Sequence, residues 1–249
     1  MPRDGFQREI DYLRISLTDR CNLRCTYCMP VDQPVLAPAE EVLSADEIAL
    51  VVRAAVKVGF KKFRLTGGEP LLRADLLDIV ERIARTEGVS DLGLTTNGVL
   101  LDRLAKPLRA AGLRRVNVHV DTLDAKKLPR LMRWGSLEQI WRGIEAADAA
   151  GLAPLKLNVV VVAGENDADV VDLARLTLEK PWHVRFIELM PLCPGECARV
   201  ARESYVSNTI VRARIETALG PLALVPGHRS DESRNYRLRR AKGIVGFIS

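Results

Sequence analysis

Residues Cys21–Pro30 read CNLRCTYCMP and carry three cysteines spaced C-x-x-x-C-x-x-C. The chain has five cysteines in 249 residues, and these are the first three. Where thiols stay reduced, clustered cysteines bind metal or do redox work more often than they form disulfides. Zinc, an iron–sulfur cluster, redox thiols and buried structural cysteines all stand as candidates. Structural zinc takes four ligands in a closed tetrahedron. No fourth ligand lies close by in sequence, since His119, Cys193 and Cys197 are distant along the chain. An iron–sulfur cluster is usually held by four thiolates. Three thiolates on a four-iron cluster leave one iron open for a substrate or cofactor, as in an open catalytic zinc site.

Working outward, YLRISLT (12–18) reads as a strand that feeds the cysteine loop. SADEIALVVRAAVKVG follows, with Ser44 and Glu47 in capping-box spacing and helical periodicity as far as Gly59. The alternation then repeats. KFRLTGG, DLGLTTNG, RVNVHVD, LKLNVVVV and HVRFIELMP read as strands. DLLDIVERIART, DRLAKPLRAAG, SLEQIWRGIEAADAAG and DVVDLARLTLE read as the helices between them. Six βα-type units in series predict an α/β fold with a parallel sheet wrapped by helices. After Pro191 the rhythm changes. LCPGECARVARESYV reads as a loop, SNTIVRARIETALG as a helix ending at Gly220, and RNYRLRR and GIVGFIS as two further strands.

Bulk properties narrow the function. Hydrophobic residues make up 47% and charged residues 28%, a globular balance. No apolar run approaches the roughly 18 residues of a membrane helix. The opening MPRDGFQREIDY lacks the apolar segment of a secretory signal, so a cytoplasmic protein without membrane attachment is expected. The net charge of +5, from 37 basic and 32 acidic residues, suits an anionic small molecule. The basic cluster 237–242 is short and lacks aromatic interleaving, so no nucleic-acid partner is expected.

The loops after the strands hold the unusual residues: the cysteines, TGGEP (66–70), TTNG, HVDT and ELMP. In parallel α/β sheets, ligands bind at the carboxyl ends of the strands. Two adjacent glycines let a backbone approach a ligand closely, and the glutamate beside them can accept a hydrogen bond from an amine. Taken by itself, TGGEP is better explained as a tight turn with Pro70 opening the next segment.

CNLRCTYC followed about forty residues later by GGEP resembles the radical S-adenosylmethionine (SAM) superfamily. The longer segments DYLRISLTDRCNLRCTYCMP, KFRLTGGEPLLR, GLTTNGVLL, GLRRVNVHVDTLD, LKLNVVVV and VRFIELMP, in this order, resemble the GTP 3′,8-cyclase family of molybdenum-cofactor biosynthesis. That resemblance implies a partial (β/α)6 TIM-like barrel of the radical SAM type with a short C-terminal extension. It implies a radical SAM core over 1–191, and over 192–249 the start of a C-terminal region that stops before the family's second cluster.

The cofactors implied are a 4Fe–4S cluster on Cys21, Cys25 and Cys28, and SAM. Tyr27, Gly68, His119 and Met190 are implied in the SAM pocket. Arg14, Arg64, Thr95 and Lys156 are implied as GTP contacts. Arginine and lysine would neutralise a triphosphate through charge-assisted hydrogen bonds, although Arg14 and Arg64 also suit a solvated strand face. Lys156 lies in an apolar run, which argues against a purely solvated role. The resemblance further implies a protein reductant such as flavodoxin or ferredoxin and allows a homodimer.

Two departures stand out. His119 occupies a position where the family carries a serine, and imidazole is larger and titratable. The family's second cluster uses a C-x-x-C pair and a later cysteine. Cys193 and Cys197 have another spacing and are expected to be extra thiols, free or adventitious. The chain is therefore expected to cleave SAM while cyclising GTP poorly. A radical SAM enzyme of another substrate, or a metal-binding scaffold, are the alternatives.

Overall fold

A computed structural model describes residues 2–31, 36–191, 195–227 and 232–249. The chain divides into two compact units. One gathers Met1–Asn22, Val35–Asn117 and Gln139–Ala153, and the other gathers Leu23–Pro34, Val118–Glu138 and Pro154–Ser249. Among the described residues no helix is long and apolar enough to cross a membrane.

In the first unit, strands β1 (Tyr12–Ser16), β2 (Lys62–Thr66) and β3 (Asp91–Thr96) pair in parallel. Helices α1 (Ala45–Lys57) and α2 (Leu76–Ala84) connect them, and α3 (Leu101–Ala110) follows β3. The capping box read from sequence is present: Glu47 N–H donates to Ser44 Oγ, and Ser44 N–H donates to Glu47 Oε2 at 2.8 Å. Leu13, Phe63 and Leu92 share one face of the sheet, as do Ile15, Leu65 and Leu94. The β2 and β3 residues of this face are buried, as are Ile48, Val52, Ile79, Ile83, Ala105 and Leu108 of the helices. The opposite face is polar, and Arg14 and Arg64 lie side by side on it with Gly93 next in register. The following strand, β4 (Arg115–His119), begins in this unit, where Arg114 N–H donates to Leu92 O at 3.0 Å. Helix α5 (Leu137–Ala149) lies mostly in the same unit.

In the second unit, β5 (Lys156–Val160), β6 (His183–Ile187) and β9 (Ile244–Ile248) are parallel. Strands β8 (Arg234–Leu238) and β7 (Leu222–Leu224) then extend the sheet in antiparallel fashion. The end of β4 lies here too, and Val120 N–H donates to Asn158 O at 3.0 Å. Helices α6 (Val170–Glu179) and α8 (Asn208–Leu219) cover the face carrying Val184, Phe186, Val245 and Phe247. The other face is polar. Arg185 donates to Asn158 Oδ1 from Nε (2.9 Å) and Nη2 (2.7 Å). Gly246, beside Arg185 in register, leaves room for it, since a Cβ there would lie 3.0 Å from Arg185 Cγ.

Among the described residues, helices α4 (Leu128–Met132) and α7 (Glu196–Glu203) and strand β7 were not read from the sequence. Helix α4 and strand β7 are too short to show a period. Helix α7 falls in the segment read as a loop. Among the described side chains its buried ones are Cys197 and Ala201, one turn apart, and the Arg199–Glu203 pair supports its exposed side. The expectation of free thiols at 193 and 197 fails at Cys197, which is disulfide-bonded. Cys193 lies outside the described residues.

Candidate active site

In the first unit the site is a set of backbone and carboxylate contacts around the start of the cysteine loop. Gly68 N–H donates to Thr18 O at 2.6 Å, and Glu69 N–H donates to Arg20 O at 2.7 Å. Thus the loop after β2 runs directly against the residues leading into Cys21. A Cβ on Gly67 would lie 2.3 Å from Thr18 O, and one on Gly68 would lie 2.3 Å from Arg20 O. Both glycines are required by this close approach of two backbones.

The Glu69 side chain turns inward and is 1% exposed. Its carboxylate accepts from Leu71 N–H (3.0 Å), Thr96 Oγ1 (2.7 Å) and Asn97 N–H (2.7 Å). Burial raises its pKa against the pull of these three donors. Asn97, fixed in this way, directs its side-chain amide to Asn22 Oδ1 at 2.7 Å and toward Cys21 Sγ at 3.9 Å. Arg73 holds the loop from below, donating to Leu17 O at 3.0 Å and to Leu43 O at 2.9 Å.

In the second unit, Cys25 and Cys28 flank a single turn in which Cys28 N–H and Met29 N–H both donate to Cys25 O, at 3.0 and 3.1 Å. Arg24 N–H and Thr26 N–H donate to Met132 O and Leu131 O. Tyr27 is buried, and its hydroxyl donates to Asp121 Oδ2 at 2.5 Å. His119 Nε2 sits 2.6 Å from that hydroxyl and 3.1 Å from Asp121 Oδ2. Burial raises the Tyr27 pKa well above its ordinary value, and the charges of Asp121 and Cys25 add to the effect. For His119, burial opposes the charged form, but Asp121 and Cys25 outweigh it and the net shift is strongly upward.

Comparison with known proteins places the chain. The model of the Radical SAM superfamily matches residues 15–177. The GTP 3′,8-cyclase of Pelotomaculum thermopropionicum is 49% identical over 250 residues, covering 99% of this chain and 76% of that protein. The GTP 3′,8-cyclase of Thermodesulfovibrio yellowstonii is 46% identical with the same coverage. The chain belongs to the GTP 3′,8-cyclase family of the radical SAM superfamily. It spans about three quarters of the length of these relatives. Among solved structures, methylornithine synthase matches with a TM-score of 0.66 at 15% identity, over 82% of this chain and 61% of that one. The hydrogenase maturase HydG matches with a TM-score of 0.64 at 14% identity, over 83% of this chain and 49% of that one. The partial-barrel fold expected from sequence is thereby shown.

A radical SAM protein uses a 4Fe–4S cluster and SAM. The donor set here fits that cluster. Cys21, Cys25 and Cys28 are outside any disulfide; Cys28 is exposed and the other two are partly so. Thiolate sulfur suits iron, and Asn97 supplies an amide donor toward Cys21. Among the described residues no three donor side chains are already drawn together as a metal site.

The residues implied in SAM and nucleotide contact fall as follows. Gly68 has its N–H committed to Thr18 O. Tyr27 and His119 share the Asp121 network, and Met190 is half-buried just after β6. Thr95 is half-buried near the carboxyl end of β3. The cationic residues are not at carboxyl strand ends. Arg14 and Arg64 lie in mid-strand, with Arg64 6% exposed and its Nε donating to Tyr12 Oη. Lys156 opens β5, paired with His183, which opens β6. Asp121, Asn97 and Asn166 were not singled out from sequence. The motifs HVDT and TTNG contain the first two, but nothing local distinguishes them from turn residues.

Proposed function

We propose that the protein cyclises GTP to (8S)-3′,8-cyclo-7,8-dihydroguanosine 5′-triphosphate in molybdopterin biosynthesis. The observation carrying this reading is the three-cysteine loop Cys21–Cys28, outside any disulfide, in a chain whose relatives at 46–49% identity are GTP 3′,8-cyclases along 99% of its length. Cys21, Cys25 and Cys28 hold the cluster. A reduced cluster held there would supply the electron for splitting SAM into methionine and a 5′-deoxyadenosyl radical, the chemistry that hydrogen removal from the ribose would need. Tyr27, Gly68, His119 and Met190 serve SAM. Arg14, Arg64, Thr95 and Lys156 serve GTP, with the adjacent Arg14 and Arg64 offering charge-assisted bonds to phosphate oxygens.

The reading includes a core over 1–191, the start of a C-terminal region over 192–249, a flavodoxin- or ferredoxin-type reductant, a homodimer and a cytoplasmic setting. A polypeptide of these 249 residues has two cysteines beyond the loop, and Cys197 is in a disulfide. Fixing guanine and ribose for attack is demanding, since a displacement of about 1 Å can cost on the order of a hundredfold in rate. Anaerobically reconstituted and reduced with dithionite, this polypeptide is expected to bind about four irons and to release 5′-deoxyadenosine with little cyclised nucleotide. Cys→Ala at any of the three loop positions is expected to abolish the release. Iron and activity surviving in the triple variant would overturn the cluster assignment. Cyclised product forming as fast as deoxyadenosine would overturn the expected deficiency.

A further inference from the structure

We infer that Asp121, its backbone carbonyl held by Asn166 and its buried carboxylate by the β5 backbone, is a positioning residue that tethers the metal-ligating turn through the Tyr27 hydroxyl.

Asp121 and Asn166 are both 0% exposed. Burying a carboxylate is costly unless its oxygens find donors, and both oxygens are engaged here. Oδ1 accepts from Val160 N–H at 2.8 Å, and Oδ2 accepts from the Tyr27 hydroxyl, with His119 Nε2 alongside. Asn166 fixes the frame around it. Its Nδ2 donates to Asp121 O and Val160 O, both at 2.8 Å, and its Oδ1 accepts from Val162 N–H at 2.7 Å. One side-chain amide therefore ties the segment after β4 to the end of β5, which leaves the Asp121 side chain one direction in which to point.

That direction leads to Tyr27, two residues after Cys25 and one before Cys28. The turn between the two cysteines is held on its other side by the Thr26 N–H bond to Leu131 O, at 2.9 Å. Its internal bonds, Cys28 and Met29 N–H to Cys25 O, amount to a single turn, too little to be stable alone. The buried Tyr27 hydroxyl, donating to Asp121 with His119 Nε2 2.6 Å away, ties the turn to the end of β4 and the segment after it. A ligand loop held in place before metal arrives loses less conformational entropy on binding. Residues that orient metal ligands change metal affinity or activity by about 10–100-fold when removed.

The inference rests on Cys25 and Cys28 being cluster ligands, but its first test needs no metal. Tyr27→Phe removes one oxygen and leaves the ring packed. In metal-free protein, amide exchange at Thr26, Cys28 and Met29 is expected to quicken at least tenfold, while the β6–β9 ladder stays unchanged. Asp121→Asn is expected to do the same, and the double variant should add little to either change. In reconstituted protein, iron should leave Tyr27→Phe faster under a chelator, and the KM for SAM should rise more than kcat falls. Unchanged exchange at the three amides in Tyr27→Phe overturns the tether, as does faster exchange spread equally over the whole second unit. A wild-type chain that binds no iron overturns the ligand reading and the purpose given to the tether, while the exchange measurement would still report the bond itself.

Discussion

Substituting Gly68 by alanine separates two explanations for the glycine pair. If Gly68 is small so that a ligand can lie against it, Gly68→Ala leaves the ligand-free protein as stable as before and weakens only SAM binding. The structure gives another reason. The new Cβ would sit 2.3 Å from Arg20 O, 2.6 Å from Arg20 C and 2.7 Å from Asp19 O, about 1 Å short of ordinary contact, which begins at 3.4 Å. All three atoms are backbone, so no side chain can swing aside. Opening the gap stretches the bonds Gly68 N–H to Thr18 O and Glu69 N–H to Arg20 O, now 2.6 and 2.7 Å, beyond useful length. Two such bonds contribute about 1 kcal/mol each, and the overpacking costs about 1–3 kcal/mol more. Stiffening the unfolded chain returns about 0.4–1 kcal/mol, because Gly68 lacks a positive φ. The net expectation is a loss of roughly 2–5 kcal/mol in metal-free, SAM-free protein. Urea unfolding followed by far-UV circular dichroism, with amide exchange at Gly68 and Glu69, measures it. An unchanged or raised midpoint, with those two amides still protected, refutes the argument.

Glu69→Ala strands the buried N–H groups of Leu71 and Asn97 and should cost about 2–4 kcal/mol. Burial raises the folded pKa of Glu69, so its contribution is fullest below the unfolded carboxyl value and declines as pH rises through the folded one. The difference between wild type and Glu69→Ala in urea midpoint should therefore be larger at pH 4 than at pH 8, and the reverse order would contradict the assignment. His183 behaves oppositely. Burial, aided by Lys156, Arg185 and Arg237, lowers its pKa from 6.5 to about 4. Its neutral form is favoured by folding, so stability should fall as pH drops from 6.5 toward 4. His183→Gln should flatten that part of the pH profile, and an unaltered slope would show that other groups produce it.

Spacing along the chain was enough to find the cysteine loop, the GGEP turn, the alternation of strands and helices, and the resemblance that named a family. These are local signals. A β-strand shows its period in five residues, a capping box in four, and a ligand loop in eight. What the side chains of the site do was decided only by the tertiary structure. Glu69 looked like a free acceptor beside two glycines. Folding brings Thr96 and Asn97 to it, 27 and 28 residues away, and makes it a buried crosslink. Tyr27 and Asp121 are 94 residues apart and meet only because two loops end at the same level. Arg14 and Arg64 suited a solvated strand face, and register places them side by side in mid-strand, with Arg64 buried. Helix α7 escaped because it is eight residues long and its few apolar residues are small or interleaved with arginines. Hydrogen-bond partners depend on which strand lies beside which and in what register, and neither is written in any short window of sequence.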